Sequence, residues 1–202
     1  MKLFANIISA IFHPLMIITY GVALMLSYTY LVIYPPMMKL LLLGVAFLCT
    51  AVIPGLFVLL MKYNGSISNL EMPDRRERAV PLLVFFASTL VFLFFVRKMQ
   101  APFWSLSLLL GVAAALLLAM CINFFWKISI HGIGMGGLLG GVMGVSCIHL
   151  LNPSGLLVLL FIIAGLVATS RIILERHTPM QAYAGICLGF ICTFTAVLFI
   201  FN

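Results

Sequence analysis

An all-α bundle of six or seven membrane-spanning helices is the fold class this sequence predicts, and three observations predict it. Of its 202 residues 65% are apolar and only 7% charged, whereas a soluble domain is about half apolar and about a quarter charged. The apolar residues gather into runs near 20 long, the length that crosses a hydrocarbon core of about 30 Å as helix. The gaps between runs are short and hold the charges. A single domain, residues 1–202, is expected, with any chemistry confined to span ends.

The elements follow in order. Leu3 to Tyr34 carries no charge, and as one helix it would reach about 48 Å, well beyond the hydrocarbon core. His13-Pro14 is the natural break, leaving a short interfacial lead-in and a first span near residues 14–33. No small-x-small site follows the first apolar stretch, which disfavours a cleaved leader. His13 reads as an interfacial polar residue, with a supporting place near a site as the alternative. Pro35-Pro36 closes the span, and Leu40 to Met61 forms the second, kinked at Pro54-Gly55.

The longest polar stretch, Lys62 to Pro81, comes next. Glu71 with Arg75, and Asp74 with Arg78, stand four apart and would pair on a short interfacial helix. Alternatively one or more of Arg75, Arg76 and Arg78 grips a phosphate, since a guanidinium offers phosphoryl oxygens a bidentate fork. Val80 to Val96 is a third span and Phe103 to Phe125 a fourth. After a polar island at Lys127-Ile128-Ser129-Ile130-His131-Gly132, a fifth span carries Gly132, Gly136, Gly140 and Gly144 at a four-residue period. That ladder is a packing face, because small residues let helix backbones approach closely in lipid. His149 ends the span without polar neighbours in sequence and reads as structural. Asn152-Pro153-Ser154-Gly155 is a turn, Leu156 to Thr169 a sixth span, and Ala182 to Phe201 a seventh.

Between the last two lies Ser170-Arg171-Ile172-Ile173-Leu174-Glu175-Arg176-His177-Thr178-Pro179-Met180-Gln181. Charge at membrane depth is costly and calls for a reason. One reason is purely structural: Thr178 caps a helix that starts at Pro179, and Gln181 completes a Thr-x-x-Gln capping box. That account leaves Ser170 and His177 unexplained, seven apart on one helical face.

The spacing Ser170-Arg171, five residues, His177, three residues, Gln181 resembles the third signature motif of the type 2 phosphatidic acid phosphatase family. Ser129 and His131 keep the spacing of its second motif, Pro-Ser-Gly-His, with Ile128 and Ile130 in the other places. Gln181 stands where the family has Asp. The first motif, Lys, six residues, Arg-Pro, is represented only by the basic stretch running into Pro81. The resemblance implies metal-free hydrolysis of a lipid phosphate or isoprenyl diphosphate. His177 would be the nucleophile, held by Gln181, and His131 the acid. Arg171, Lys127, Ser129, Ser170 and the loop arginines 75, 76 and 78 would hold the phosphate.

Composition agrees with anionic membrane partners rather than nucleic acid: 11 Lys and Arg stand against four acids, for a net charge of +7. With so few acids no metal or other cofactor is expected. The five cysteines fall inside spans and read as small buried apolar residues. Counting spans puts all three polar islands on one face, as one site requires; the basic residues do not decide which face. A bacterial inner membrane is the expected setting. A lipid-phosphate binder or carrier without chemistry is the rival from another class, and a structural membrane subunit the third.

Overall fold

The computed structural model describes residues 1–70, 72 and 74–199. Its described residues form helices without strands: α1 (Lys2–Ile11), α2 (Pro14–Tyr28), α3 (Pro36–Phe47), α4 (Ile53–Tyr63), α5 (Ala79–Lys98), α6 (Phe103–Asn123), α7 (Ile130–His149), α8 (Ser154–Ile173) and α9 (Pro179–Phe199). Six candidate spans are long and apolar enough to cross a membrane, with α3 and α4 together making one. The α1–α2 pair, bent by 55°, gives up to a seventh. The chain is a helical membrane protein. The end of the last expected span, residues 200–202, lies outside the described residues, as do Glu71 and Pro73.

Pro14 and Pro54 shape the first two units by the same physics, a missing N–H and a ring that collides with the preceding turn. At Pro14 the break is complete: His13 leaves helical geometry and caps α2, its Nδ1 accepting from Leu15 N at 3.4 Å. At Pro54 the helix survives by widening, with a π turn over Leu48–Val52 between α3 and α4. The expected kink is thus a wide turn. Tyr30–Ile33 adds one 3-10 turn after α2.

The tightest packing is α7 on α9. A Cβ on Gly136 would run into the carbonyl of Ile186, and one on Gly189 into that of Ile133, so the predicted glycine ladder is a close-approach face. This contact has a functional consequence, because it lays the starts of α7 and α9 side by side. Ser129 N donates to Gln181 O at 3.2 Å, tying the second polar island to the third.

Two expectations change. Residues 74–78 form no interfacial helix, only one 3-10 turn at Arg76–Arg78, and Asp74 does not pair with Arg78. Asp74 accepts from Arg76 N at 3.0 Å, and Arg78 Nε donates to Met72 O at 2.8 Å. The Glu71–Arg75 pair falls outside the described residues. His149 packs against the rings of Tyr30 and Trp104 at 5.4 and 5.5 Å, as a structural residue does. Cys49 is buried, but Cys121, Cys147 and Cys187 are on the outer surface, where lipid tolerates a weakly polar thiol.

Candidate active site

The residues from 170 to 181 owe their shape to how α8 ends. Glu175 adopts a left-handed conformation, φ 55°. Arg176 N then bonds back to Arg171 O at 3.1 Å and Glu175 N to Ile172 O at 2.9 Å, the paired bonds of a Schellman ending. His177 N also reaches Arg171 O, at 3.3 Å. The chain therefore folds His177 back over Arg171. Thr178 and Gln181 form the expected capping box: Thr178 N donates to Gln181 Oε1 at 3.2 Å, and Gln181 N to Thr178 Oγ1 at 3.4 Å.

The box also fixes the tautomer of His177. Because Gln181 Oε1 accepts from a backbone N–H, that end of the amide is the oxygen, and the His177 Nδ1 found 3.1 Å from it must carry the proton. Nε2 keeps the lone pair. One side chain both caps the helix and holds the His177 ring.

His177 opens on a cavity of about 620 Å³ whose wall includes Arg78, Arg171, His13 and His131. Arg78 and Arg171 are only 6% and 7% exposed. No acidic side chain among the described residues lines the cavity. Asp74 faces the Arg76 amide, Glu77 accepts from Ser68 N and Oγ, and Glu175 meets Lys2 in an exposed pair at 3.6 Å. Arg171 acts electrostatically on His13, Arg78, His131 and His177 alike. Burial, then the charge of Arg78, holds the His177 pKa down at about 3, with Arg171 and Lys127 adding to the effect and the Gln181 bond opposing it. His177 is a neutral imidazole at physiological pH.

The other two imidazoles are set by backbone partners. His131 Nε2 lies 3.3 Å from Ser9 O, which can only accept, so Nε2 carries a proton and Nδ1 is left for other work. His13 is the mirror case. Its Nδ1 accepts from Leu15 N, which puts its proton on Nε2. The two rings meet edge to face with centroids 5.5 Å apart.

Of the residues expected from sequence, the cavity wall thus gathers His177, His131, Arg171 and Arg78, with Gln181 behind His177. Ser129 is elsewhere: it is fully buried, and its hydroxyl caps α7 by accepting from Gly132 N at 3.2 Å. Ser170 is buried in α8 outside the wall. Arg75 turns away to donate to Phe125 O at 2.6 Å, and Arg76 is exposed. Lys127 acts on His177 through its charge but is not in the wall. Among the described residues no three His, Cys, Asp or Glu side chains converge in a metal-holding group.

Sequence reasoning missed the share of α1. This helix packs against α8 and brings Asn6 and Ser9 to the cavity, with His13 at the break that follows it; there Arg171 reaches Ser9 Oγ at 3.4 Å. The signal was present in part: Asn6 and Ser9 stand three apart, on one face of α1. Asn123 was missed too. It donates to Arg75 O at 2.8 Å and so ties the basic loop to α6. No family model, curated protein or solved structure matches the chain.

Proposed function

We propose that this protein is a membrane phosphatase that hydrolyses a lipid phosphate or isoprenyl diphosphate through a phosphohistidine, without metal. The single observation that carries the reading is a cavity walled by two buried arginines and three imidazoles, one of which, His177, has its Nδ1 held by Gln181 Oε1. A guanidinium offers phosphoryl oxygens a planar fork of donors, and a neutral imidazole beside it offers a nucleophile.

The roles follow from the hydrogen bonds. His177 Nε2 holds a lone pair and attacks phosphorus, forming an N–P bond as the bond to the leaving oxygen breaks. With the anion bound, His131 in its protonated form gives the Nδ1 proton to that oxygen, while Ser9 O continues to accept from Nε2. Water then attacks the phosphohistidine and gives its proton back to Nδ1. His13 presents its Nε2–H as a fixed donor, since a second proton on Nδ1 would oppose the Leu15 N–H. Arg78 and Arg171 stabilise the equatorial oxygens.

One residue favours the rival reading, a lipid-phosphate binder or carrier. Gln181 orients His177 but brings no negative charge to balance the phosphorylated ring. The test is phosphate release by purified protein from a panel of lipid phosphates and isoprenyl diphosphates, with an alkaline denaturing quench to trap a base-stable, acid-labile phosphohistidine. Turnover that survives EDTA and disappears in His177→Ala supports the enzyme. Phosphate-dependent thermal stabilisation without turnover on any substrate supports the binder. Full loss in EDTA restored by a divalent ion defeats the metal-free mechanism.

A further inference from the structure

We infer that the ligand of this site carries one long hydrocarbon chain, of the isoprenyl or another single-chain class, and that the chain lies inside the bundle. The inference rests on the phosphate reading of the polar cavity and deepens it. That cavity does not end at the lipid. Pro14, Phe85 and Ile130 line both it and a second, apolar cavity of about 100 Å³. The second cavity runs between α2, α5, α6 and α7, from Pro14 and Ile130 at the site end to Leu31, Tyr34 and Pro102 at the other. A third, of about 190 Å³, shares Gly21, Met25, Leu108, Gly137 and Leu138 with the second. A polar head chamber therefore adjoins an apolar slot inside the bundle.

Width and depth select the chain. From Pro14 to Leu26 on α2 is about 18 Å at the helical rise, and so small a volume drawn over that length admits one chain, not two. Half of a hydrocarbon core of about 30 Å is about 15 Å, the depth an ordinary acyl tail reaches. A chain following the slot passes the midplane, which suits a longer tail. Hydrophobic transfer does not drive entry, because lipid is as apolar as the slot. Dispersion does: walls facing a narrow void lack contact atoms, and a fitting chain supplies them. Fit thus decides between one-chain and two-chain ligands.

The test uses full-length protein in detergent and non-hydrolysable probes: inorganic phosphate, alkyl phosphonates from butyl to hexadecyl, a dialkyl phosphatidate and hexadecanol. Gly21→Leu fills the slot, and its Cβ meets Leu138 Cδ1 at an ordinary 3.5 Å. Gly165→Leu is the control, since nothing lies within 4 Å of its Cβ on the exposed face of α8. After correction for micelle partition, hexadecyl phosphonate should bind at least tenfold tighter than butyl. Gly21→Leu should erase that gain without changing phosphate binding, and Gly165→Leu should keep it.

Equal chain dependence in wild type and Gly21→Leu, or phosphatidate binding as tightly as the single-chain probe, overturns the inference. If no phosphate or phosphonate binds but hexadecanol shows the same dependence on Gly21, the slot stands and the phosphate reading falls. A wild-type measurement covers the case where Gly21→Leu misfolds. A phosphonate with a photoreactive chain end should label Met25, Leu26 or Val112 in the slot. Labelling confined to the exposed Leu83, Val91 and Phe94 of α5 overturns the inference equally.

Discussion

His177 and His149 invite comparison, because each marks a helix boundary and packs among other side chains, yet only one is equipped for chemistry. His149 meets the edges of Tyr30 and Trp104, and Trp104 Nε1 donates to Tyr30 Oη at 3.1 Å. Its Nε2 is buried with no hydrogen-bond partner. His177 has Gln181 on one nitrogen, Arg171 beneath its backbone and a cavity on its other side. A histidine becomes a candidate nucleophile when a partner fixes one ring nitrogen and open space faces the other. Burial alone makes it an aromatic filler.

The largest expected effect breaks this contrast directly. His177→Ala should lower phosphate release by about 10³ or more, as removal of a covalent nucleophile does, while His149→Phe should leave the rate within about twofold. Both are read as initial rates at matched expression in detergent. Comparable losses in the two variants would mean that His177 is also only structural.

Arg78 tests the charge half of the comparison. Arg78→Gln keeps some of the polarity but removes the cation from the wall, and should cost about 10²–10³ in kcat, the scale of one lost transition-state donor. Arg75→Gln and Arg76→Gln should cost less than threefold, because neither side chain is in the wall. This ranking was not legible from sequence, where three arginines within four residues looked alike. The choice is made by the loop: Arg78 is buried with Nε on Met72 O, while Arg75 is drawn to α6 through Phe125 O and Asn123.

Much else was legible. Helix positions followed from runs of apolar residues and their prolines, since lipid forces every backbone group into helix, and the glycine ladder named its own packing face. The capping box at Thr178–Gln181 was readable because its geometry is local. What escaped was non-local. The return of α1 onto α8 depends on a 55° bend at one His-Pro step, and only that bend turns Ser9 and His13 from lead-in residues into cavity wall. Ser129 was read for chemistry when its nearer task was to cap α7.

A smaller effect concerns pH. The folded pKa of His177 is depressed to about 3 against an ordinary 6.5, so above 6.5 neither folded nor unfolded His177 holds a second ring proton. Between about 6.5 and 3 the unfolded chain binds the extra proton, and stability contributed by this group is lost as pH falls through that window. The thermal midpoint should drop from pH 7 to pH 4.5 by more in the wild type than in His177→Gln. Saturating phosphate should shrink the wild-type drop, since a bound anion offsets the two arginines. Identical pH profiles for the two proteins would show that the His177 environment is more polar than its neighbours suggest.

The smallest effect concerns how His177 is held in place. Glu175 occupies a left-handed conformation that costs an ordinary residue about 1–2 kcal/mol and glycine almost nothing. Its ionic contact to Lys2 lies between largely exposed side chains and is worth little. Glu175→Gly should therefore stabilise the fold by about 1 kcal/mol, less a few tenths for the greater freedom of glycine when unfolded. The turn geometry that folds His177 over Arg171 would be unchanged, so activity should stay within about twofold. A gain in thermal midpoint with unchanged rate sharpens the view of this turn as a passive support. A loss of activity alongside the stability gain would mean that the Glu175–Lys2 contact, by tethering α1, also positions Ser9 against His131.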